Sequence, residues 1–83
     1  MGMTNQPDTT ELKKLGEEAF NKGDYGKALK LLYSLHEAAK KARNDHLLCE
    51  AAFEIGACYF SISAYGDAQK FFTDAYEIFP RSR

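Results

Sequence analysis

The sequence has few of the features that mark a membrane-bound or nucleic-acid-binding protein. Its formal net charge is only −1, so no strong electrostatic field draws it to duplex DNA or to an anionic membrane surface. No apolar run is long enough to span a bilayer or to serve as a signal sequence. We therefore expect no nucleic-acid partner and no membrane partner.

Cysteine and proline are also scarce, with two of each in the whole chain. Cys49 and Cys58 are nine residues apart, so on one helix they point about 180° apart and are too distant for a disulfide. Free thiols suit a reducing compartment, and we expect a cytoplasmic protein. The prolines, Pro7 and Pro80, stand near the two ends and leave the intervening chain free to be helical.

What the sequence does contain is an internal repeat. Within residues 9–80, a shift of forty residues aligns the sequence with itself at seven identical positions, and apolar residues match apolar residues between them. Such self-similarity at a fixed period predicts stacked supersecondary units. The identical pairs are Gly16 with Gly56, Phe20 with Phe60, Tyr25 with Tyr65, Gly26 with Gly66, Ala28 with Ala68, Lys30 with Lys70 and Glu37 with Glu77.

Each copy has the pattern of two helices joined by a tight turn, and no segment alternates with the period of a strand. We predict helices over about 9–22, 25–42, 45–62 and 65–79. Asp8 and Asp24 are suitable N-caps, Asn44 marks a turn or a cap, and Pro80 stops the last helix. The small residues Gly16, Ala28, Gly56 and Ala68 are predicted to let paired helices approach closely.

The predicted fold class is all-α: four helices in two antiparallel hairpins, stacked as a short solenoid. One alternative stays open, in which residues 40–45 merge helices two and three into one rod and copies exchange helices. The predicted organisation is a disordered leader over 1–8, a helical domain over 9–80 with repeats at 9–43 and 44–80, and a tail over 81–83.

Two strings in the repeats resemble a known family. They are Leu15-Gly16-x-x-Ala19-Phe20-x-x-Gly23-Asp24-Tyr25-x-x-Ala28 and Ile55-Gly56-x-x-Tyr59-Phe60-x-x-x-x-Tyr65-x-x-Ala68-x-x-x-Phe72-x-x-Ala75-x-x-x-x-Pro80. A small residue on the first helix, an Ala on the second, a Tyr at the turn and a Pro after the hairpin resemble the tetratricopeptide repeat (TPR) over about residues 9–80. The first copy departs at its end, where Leu35 replaces a small residue and no proline follows.

The repeat is longer than usual for that family. Common copies repeat every ~34 residues, so a period of forty leaves about six extra residues. We place them around 40–45, where they lengthen helix two and the start of helix three. This longer variant is similar to the repeats of kinesin light chains, of spindle-orientation adaptors and of bacterial peptide-responsive regulators.

The resemblance implies a non-catalytic protein-interaction module. In this family the first helix of each hairpin lines a concave groove, which binds a peptide or helix of a partner protein. Phe20, Phe53 and Phe60 also suit core packing, and both roles stay open. The implied groove positions are Lys13, Glu17, Phe20 and Asn21 in the first copy and Glu50, Phe53, Glu54, Ala57, Phe60 and Ser61 in the second.

The charges at these positions indicate what kind of ligand fits. One subset of the family grips a C-terminal carboxylate with Lys and Asn side chains; Lys13 fits that pattern, whereas Glu17 and Glu54 would repel a carboxylate. We therefore predict no carboxylate clamp. Glu17, Glu50 and Glu54 instead favour a peptide with Lys or Arg beside apolar residues, although they also suit the solvated charges of an ordinary helix surface.

Two further groups of side chains do not indicate a functional site. Lys40, Lys41 and Arg43 suit a helix C-terminus better than a nucleic-acid patch, because no aromatic residues interleave with them. His46 and Cys49 lie three apart, but two residues make neither a zinc site nor a catalytic site. We expect no metal, no cofactor and no catalysis.

The last helix has more apolar surface than one neighbouring helix covers. Two hairpins are also few for a solenoid, and an exposed apolar end normally finds a partner. We predict either a fragment of a longer repeat protein or a homo-oligomer through helix four, which makes self-assembly the second functional hypothesis. The residues concerned are Phe71, Phe72, Tyr76, Ile78 and Phe79.

Overall fold

The computed structural model describes residues 8–79, and the regular structure in that range is helical throughout. Each helix packs on the next one along the chain, which gives two stacked hairpins and confirms the all-α prediction. Residues 1–7 and 80–83, with most of the predicted leader, Pro80 and the tail, lie outside the described range. The helices are α1 (Thr9–Asn21), α2 (Tyr25–Lys41), α3 (Asp45–Ser61) and α4 (Tyr65–Ile78).

The second and third helices are separate. α2 ends at Lys41, and Arg43 adopts a positive φ of 55°, a left-handed conformation that does not continue an α-helix. The Asn44 side chain then accepts a hydrogen bond from the Leu47 backbone N–H at 3.1 Å and starts α3. The alternative in which residues 40–45 merge the two helices is therefore wrong. The extra residues instead lengthen both helices, because α2 and α3 have 17 residues each, against 13 in α1 and 14 in α4.

The three turns share one backbone structure. The first three helices are each followed by a residue with positive φ, namely Gly23, Arg43 and Ser63. The next residue donates its backbone N–H to a carbonyl five positions back, over 2.8–3.0 Å, which is the Schellman motif. The forty-residue repeat thus contains two helix–turn units of equal length. This shorter period is not recognisable in the sequence, because only the first turn uses glycine.

The helix N-termini are capped by side chains at three of the four positions. The Asp8 carboxylate accepts from the Glu11 N–H at 2.8 Å, and that of Asp24 accepts from the Lys27 N–H at 3.2 Å. Asn44 does the same for α3, so the predicted caps are confirmed. Ala64 stands at the N-cap of α4 and has no side-chain acceptor, which leaves that helix start less stabilised than the others.

Ala64→Asn should stabilise the protein, since it copies at the start of α4 the cap that Asn44 provides at the start of α3. We expect the free energy of unfolding to rise by about 1 kcal/mol, measured by urea denaturation followed by circular dichroism. The reverse change, Asn44→Ala, should lower it by a similar amount. An Ala64→Asn variant with an unchanged denaturation midpoint would contradict this interpretation of the turn.

The core lies where α2 meets α3, and glycines set the helix spacing within each hairpin. Leu32 and Leu35 of α2 and Ile55 of α3 are completely buried. A Cβ added to Gly16 would lie 2.9 Å from Cδ2 of Leu32, and one on Gly56 would lie 2.7 Å from Cδ1 of Phe72. The predicted close approach at these glycines is confirmed, because no larger residue fits without a shift of the facing side chain.

Gly16→Ala should destabilise the fold although alanine is the better helix former. Leu32 is 0% exposed and has little room to move, so we expect overpacking to cost about 1–2 kcal/mol of unfolding free energy. Gly26→Ala is the matched control, because a Cβ there meets no atom within 4 Å. Equal effects of the two substitutions in thermal or urea denaturation would show that the Gly16 contact does not set the helix spacing.

Candidate functional site

A cleft of about 300 Å³ opens between α1 and α3. Its lining residues recur at one helical spacing on each helix, so one face of α1 meets one face of α3. Leu32 of α2 also lines it, and since Leu32 is fully buried it forms the floor. Six of the ten predicted groove residues come together here: Glu17, Phe20 and Asn21 of α1, with Phe53, Glu54 and Ala57 of α3.

Leu32 was not among the predicted groove residues. The spacing of apolar residues along α2 identifies it as a buried residue, which it is, but gives no sign that its buried side chain closes the bottom of a cleft. The glycine opposite it is the one usable signal. Because Gly16 has no side chain, Leu32 occupies the space that a Cβ would need and packs directly against α1.

The two aromatic walls of the cleft differ in burial. Phe20 packs edge-on against Tyr25 with ring centres 5.4 Å apart and is partly buried against the core, so it serves both the core and the cleft. Phe53 is 58% exposed, and its ring lies 5.4 Å from that of Phe72. Phe53 therefore offers an accessible apolar surface at the cleft edge.

An ion-pair network joins α1 to α3 next to the cleft. Lys13 Nζ lies 3.0 Å from Glu50 Oε1, and the hydrogen bond to Glu50 raises the pKa of Lys13. His46 Nε2 lies 3.2 Å from the second oxygen, Glu50 Oε2. Both oxygens of Glu50 are thus engaged inside the protein, and neither Lys13 nor Glu50 lines the cleft.

The remaining two predicted residues lie away from the cleft. Phe60 is 58% exposed and packs edge-on against Tyr65, with ring centres 5.3 Å apart. It lines a separate hollow beside α4. Ser61 is the exposed last residue of α3. The repeat alignment matches Phe60 with Phe20 in sequence, but within residues 8–79 only Phe20 has a following hairpin packed beside it.

The cysteine and histidine side chains do not form a reactive pair. His46 contacts Glu50, whereas Cys49 Sγ donates a hydrogen bond to the Ala75 carbonyl at 3.3 Å. Both thiols are free, and burial raises the pKa of Cys49 and raises that of Cys58 to about 11. Within residues 8–79, no group of three or more His, Cys, Asp or Glu side chains is placed to hold a metal ion.

Two helical hairpins packed in sequence, with a cleft between their first helices, agree with the family model of the tetratricopeptide repeat, which matches residues 8–81. The chain belongs to the tetratricopeptide repeat family. Comparisons with curated proteins and with solved structures give no significant match. TPR domains generally mediate protein–protein interactions and are typically non-catalytic. None of the helices in residues 8–79 is both long and apolar enough to cross a bilayer.

The TPR cleft contains two carboxyl groups that form no ion pair among the described residues. Lys13, whose ammonium is bonded to Glu50, attracts both of them from farther away. Glu17 and Glu54 face each other across the cleft, within hydrogen-bonding reach when Glu54 is protonated. Burial, together with the negative charge of Glu17, raises the pKa of Glu54 to about 7. Near neutral pH the cleft therefore holds a proton that a nearby positive charge would displace.

This shared proton should make stability depend on pH in a defined direction. Since the folded state raises the pKa of Glu54 above its unfolded value, the native protein binds the proton more tightly, and stability falls as pH rises from about 4.5 to about 7. Glu54→Gln removes this dependence. We compare the unfolding free energy of the variant with that of wild type at each pH. Allowing for solvent screening, we expect this difference to shift in favour of the variant by about 1 kcal/mol between pH 5 and pH 8.

The matched control is Glu18→Gln, an exposed glutamate of α1 next to Glu17. Urea denaturation of all three proteins across this pH range measures the effect. If the stability of Glu54→Gln runs parallel to that of wild type at every pH, the two carboxyl groups do not share a proton.

Proposed function

We propose that this TPR domain binds a partner protein by a short segment that inserts a Lys or Arg side chain into the cleft between α1 and α3. Apolar residues next to that cation would pack on Phe20 and Phe53. The observation that carries the proposal is the pair of carboxyl groups, Glu17 and Glu54, which stand between aromatic walls. They form no ion pair in residues 8–79, since the nearby Lys13 is bonded to Glu50.

Electrostatics supports a cationic ligand. Two carboxylates forced together in a half-buried cleft repel each other, and a cation about 4 Å from one of them gains about 4 kcal/mol in the dielectric typical of a protein surface. The ligand would thus displace the proton of Glu54 and relieve the repulsion from Glu17. A ligand carboxylate in the same place would add a third negative charge, which disfavours the carboxylate clamp of other TPR domains.

The aromatic walls support a ligand with a long aliphatic stem beside its charge. Lys and Arg bury their methylene groups on apolar surfaces while the charged end stays with polar partners. The accessible ring of Phe53 and the half-buried ring of Phe20 provide such surfaces, and an aromatic face also attracts a cation. Asn21 adds an amide for hydrogen bonds to the ligand backbone.

Glu50 does not belong to the proposed ligand contacts, although the sequence places it beside Glu54. Lys13 and His46 already occupy its two oxygens at 3.0 and 3.2 Å. A ligand cation there would have to break the link between α1 and α3. The recognition site thus consists of Glu17, Glu54 and the two phenylalanines rather than all ten groove positions.

A randomised peptide library displayed on phage tests the proposal. Selection on the wild-type protein should enrich sequences with Lys or Arg next to a large apolar residue. The Glu17→Gln/Glu54→Gln double variant should lose the preference for the cation and keep that for the apolar residue. For one selected peptide, we expect the variant to bind about tenfold more weakly by fluorescence anisotropy, about 1.4 kcal/mol.

The matched control is Glu11→Gln/Glu18→Gln, which removes the same charge from exposed positions of α1. It should bind the selected peptides as wild type does. Enrichment of acidic peptides, or equal losses in the two double variants, would overturn the proposed site. Circular dichroism of each variant confirms that the helices are intact.

A further inference from the structure

The outer face of α4 can be compared with the equivalent face of α2 in the first copy of the repeat. In the first copy, Leu32, Leu35 and Ala39 of α2 are 0% exposed, and the first two share a buried cluster with Ala51, Ile55 and Cys58 of α3. Forty residues later the equivalents of Leu32 and Ala39 are Phe72 and Phe79. Phe72 is only partly buried and Phe79 is 51% exposed. The equivalent of Leu35, Ala75, is buried, so it is the two aromatic side chains of this face that are covered less than their counterparts in the first copy.

This face carries one projecting ring and two hollows. Tyr76 is 80% exposed and stands between two hollows of about 370 and 340 Å³. One hollow lies beside Phe60 and the other beside Phe53. A projecting ring flanked by hollows presents both a knob and a hole on one surface, which is what a two-fold interface requires.

The chemistry of the face is also compatible with a second copy. None of the side chains that line the two hollows is charged. Two copies related by a two-fold axis therefore meet there without placing like charges opposite each other. Interface cores are typically poor in charge and rich in Tyr and Phe, and the exposed rings of Phe53, Phe60 and Tyr76 match that composition.

The other end of the stack argues against head-to-tail assembly. α3 packs on α2 partly through Ala51 and Cys58, which are both 0% exposed. Their equivalents on α1, forty residues earlier, are Glu11 and Glu18, which are exposed. If the α1 of one copy docked on the α4 of the next, these carboxylates would be buried without partners, which is costly. Assembly by α4 against α4 avoids this cost and closes at two subunits.

We propose that two copies of this chain associate through α4 about a two-fold axis, with Tyr76 of each copy seated in a hollow of the other. This interface lies on the outer side of the second hairpin, so it does not depend on peptide binding between α1 and α3. The two surfaces share only Phe53, which lines both the cleft and one hollow.

Sedimentation equilibrium over about 1 μM to about 1 mM protein tests the association, since weak specific complexes dissociate in this range. We expect wild type to pass from monomer to dimer and to go no further. Tyr76→Glu should weaken the dimer at least tenfold, because a carboxylate would enter an uncharged interface on both sides of the axis. A wild-type protein that stays monomeric at the highest concentration overturns the proposal.

Lys30→Gln is the matched control, because it changes the net charge by the same amount at an exposed position of α2 and should dimerise normally. Thr73→Lys, on the same face of α4, gives a second interface variant should Tyr76→Glu fold poorly. A Tyr76→Glu or Thr73→Lys protein that folds and dimerises as tightly as wild type would place the interface elsewhere.

Nuclear magnetic resonance on dilution distinguishes the two modes of assembly. In the α4–α4 dimer, the signals of Phe53, Phe60 and Tyr76 shift with concentration, and those of Glu11 and Glu18 do not. Concentration-dependent shifts at both ends of the molecule would indicate head-to-tail stacking and would overturn the two-fold arrangement. Growth of species larger than a dimer in sedimentation would do the same.

Discussion

The structure depends on one contact, made twice: a large side chain of the second helix of a hairpin packed against a glycine of the first. Leu32 lies on Gly16 and Phe72 lies on Gly56, so close that a single Cβ would collide with either. This contact fixes how near the helices of each hairpin come. It thereby fixes the direction in which the remaining face of the first helix points. In the first hairpin it also brings Leu32, which forms the floor of the cleft, directly against α1.

The turns then decide how the hairpins stack. Because the same Schellman turn follows α1, α2 and α3, each helix reverses onto the previous one in the same way, and the chain alternates between two layers. α1 and α3 fall in one layer with the cleft between them. The turn requires one left-handed residue, and Arg43 and Ser63 adopt that conformation where glycine would be less strained. Packing along the 17-residue helices α2 and α3 evidently outweighs that strain.

Much of this architecture follows from the sequence, for local reasons. Helix extents, caps and the glycine contacts depend on residues close together in the chain or on one repeated spacing, so they are predictable to within a residue or two. The six residues around the cleft are among the ten positions that the resemblance to the TPR implies, and helical geometry turns the side chains of one face the same way. The sequence also indicates an apolar surplus on α4, where Tyr76 and Phe79 are indeed exposed.

The sequence does not provide the axial offset between neighbouring helices, that is, how far each is shifted along its axis relative to the next. That offset pairs Lys13 with Glu50 rather than with Glu17, and it sets Glu54 opposite Glu17. It depends on the sum of many packing contacts, and a change of one helical turn would exchange these partners without altering any periodicity. The exclusion of Phe60 and Ser61 from the cleft has a related cause. They lie at the C-terminal end of α3, where only a third hairpin would form the second wall.

The two surfaces differ in chemistry in a way that separates their ligands. The cleft has two carboxyl groups and the α4 face has no charge in its hollows, so a cationic segment gains electrostatic energy only in the cleft. On the α4 face the same cation would be desolvated without a counter-ion, which is unfavourable. An uncharged aromatic surface, conversely, packs on α4 without burying a carboxylate. Over the cleft, the same surface would bury Glu54 and offer it no cation. Electrostatics thus favours a different occupant on each surface, although Phe53 belongs to both.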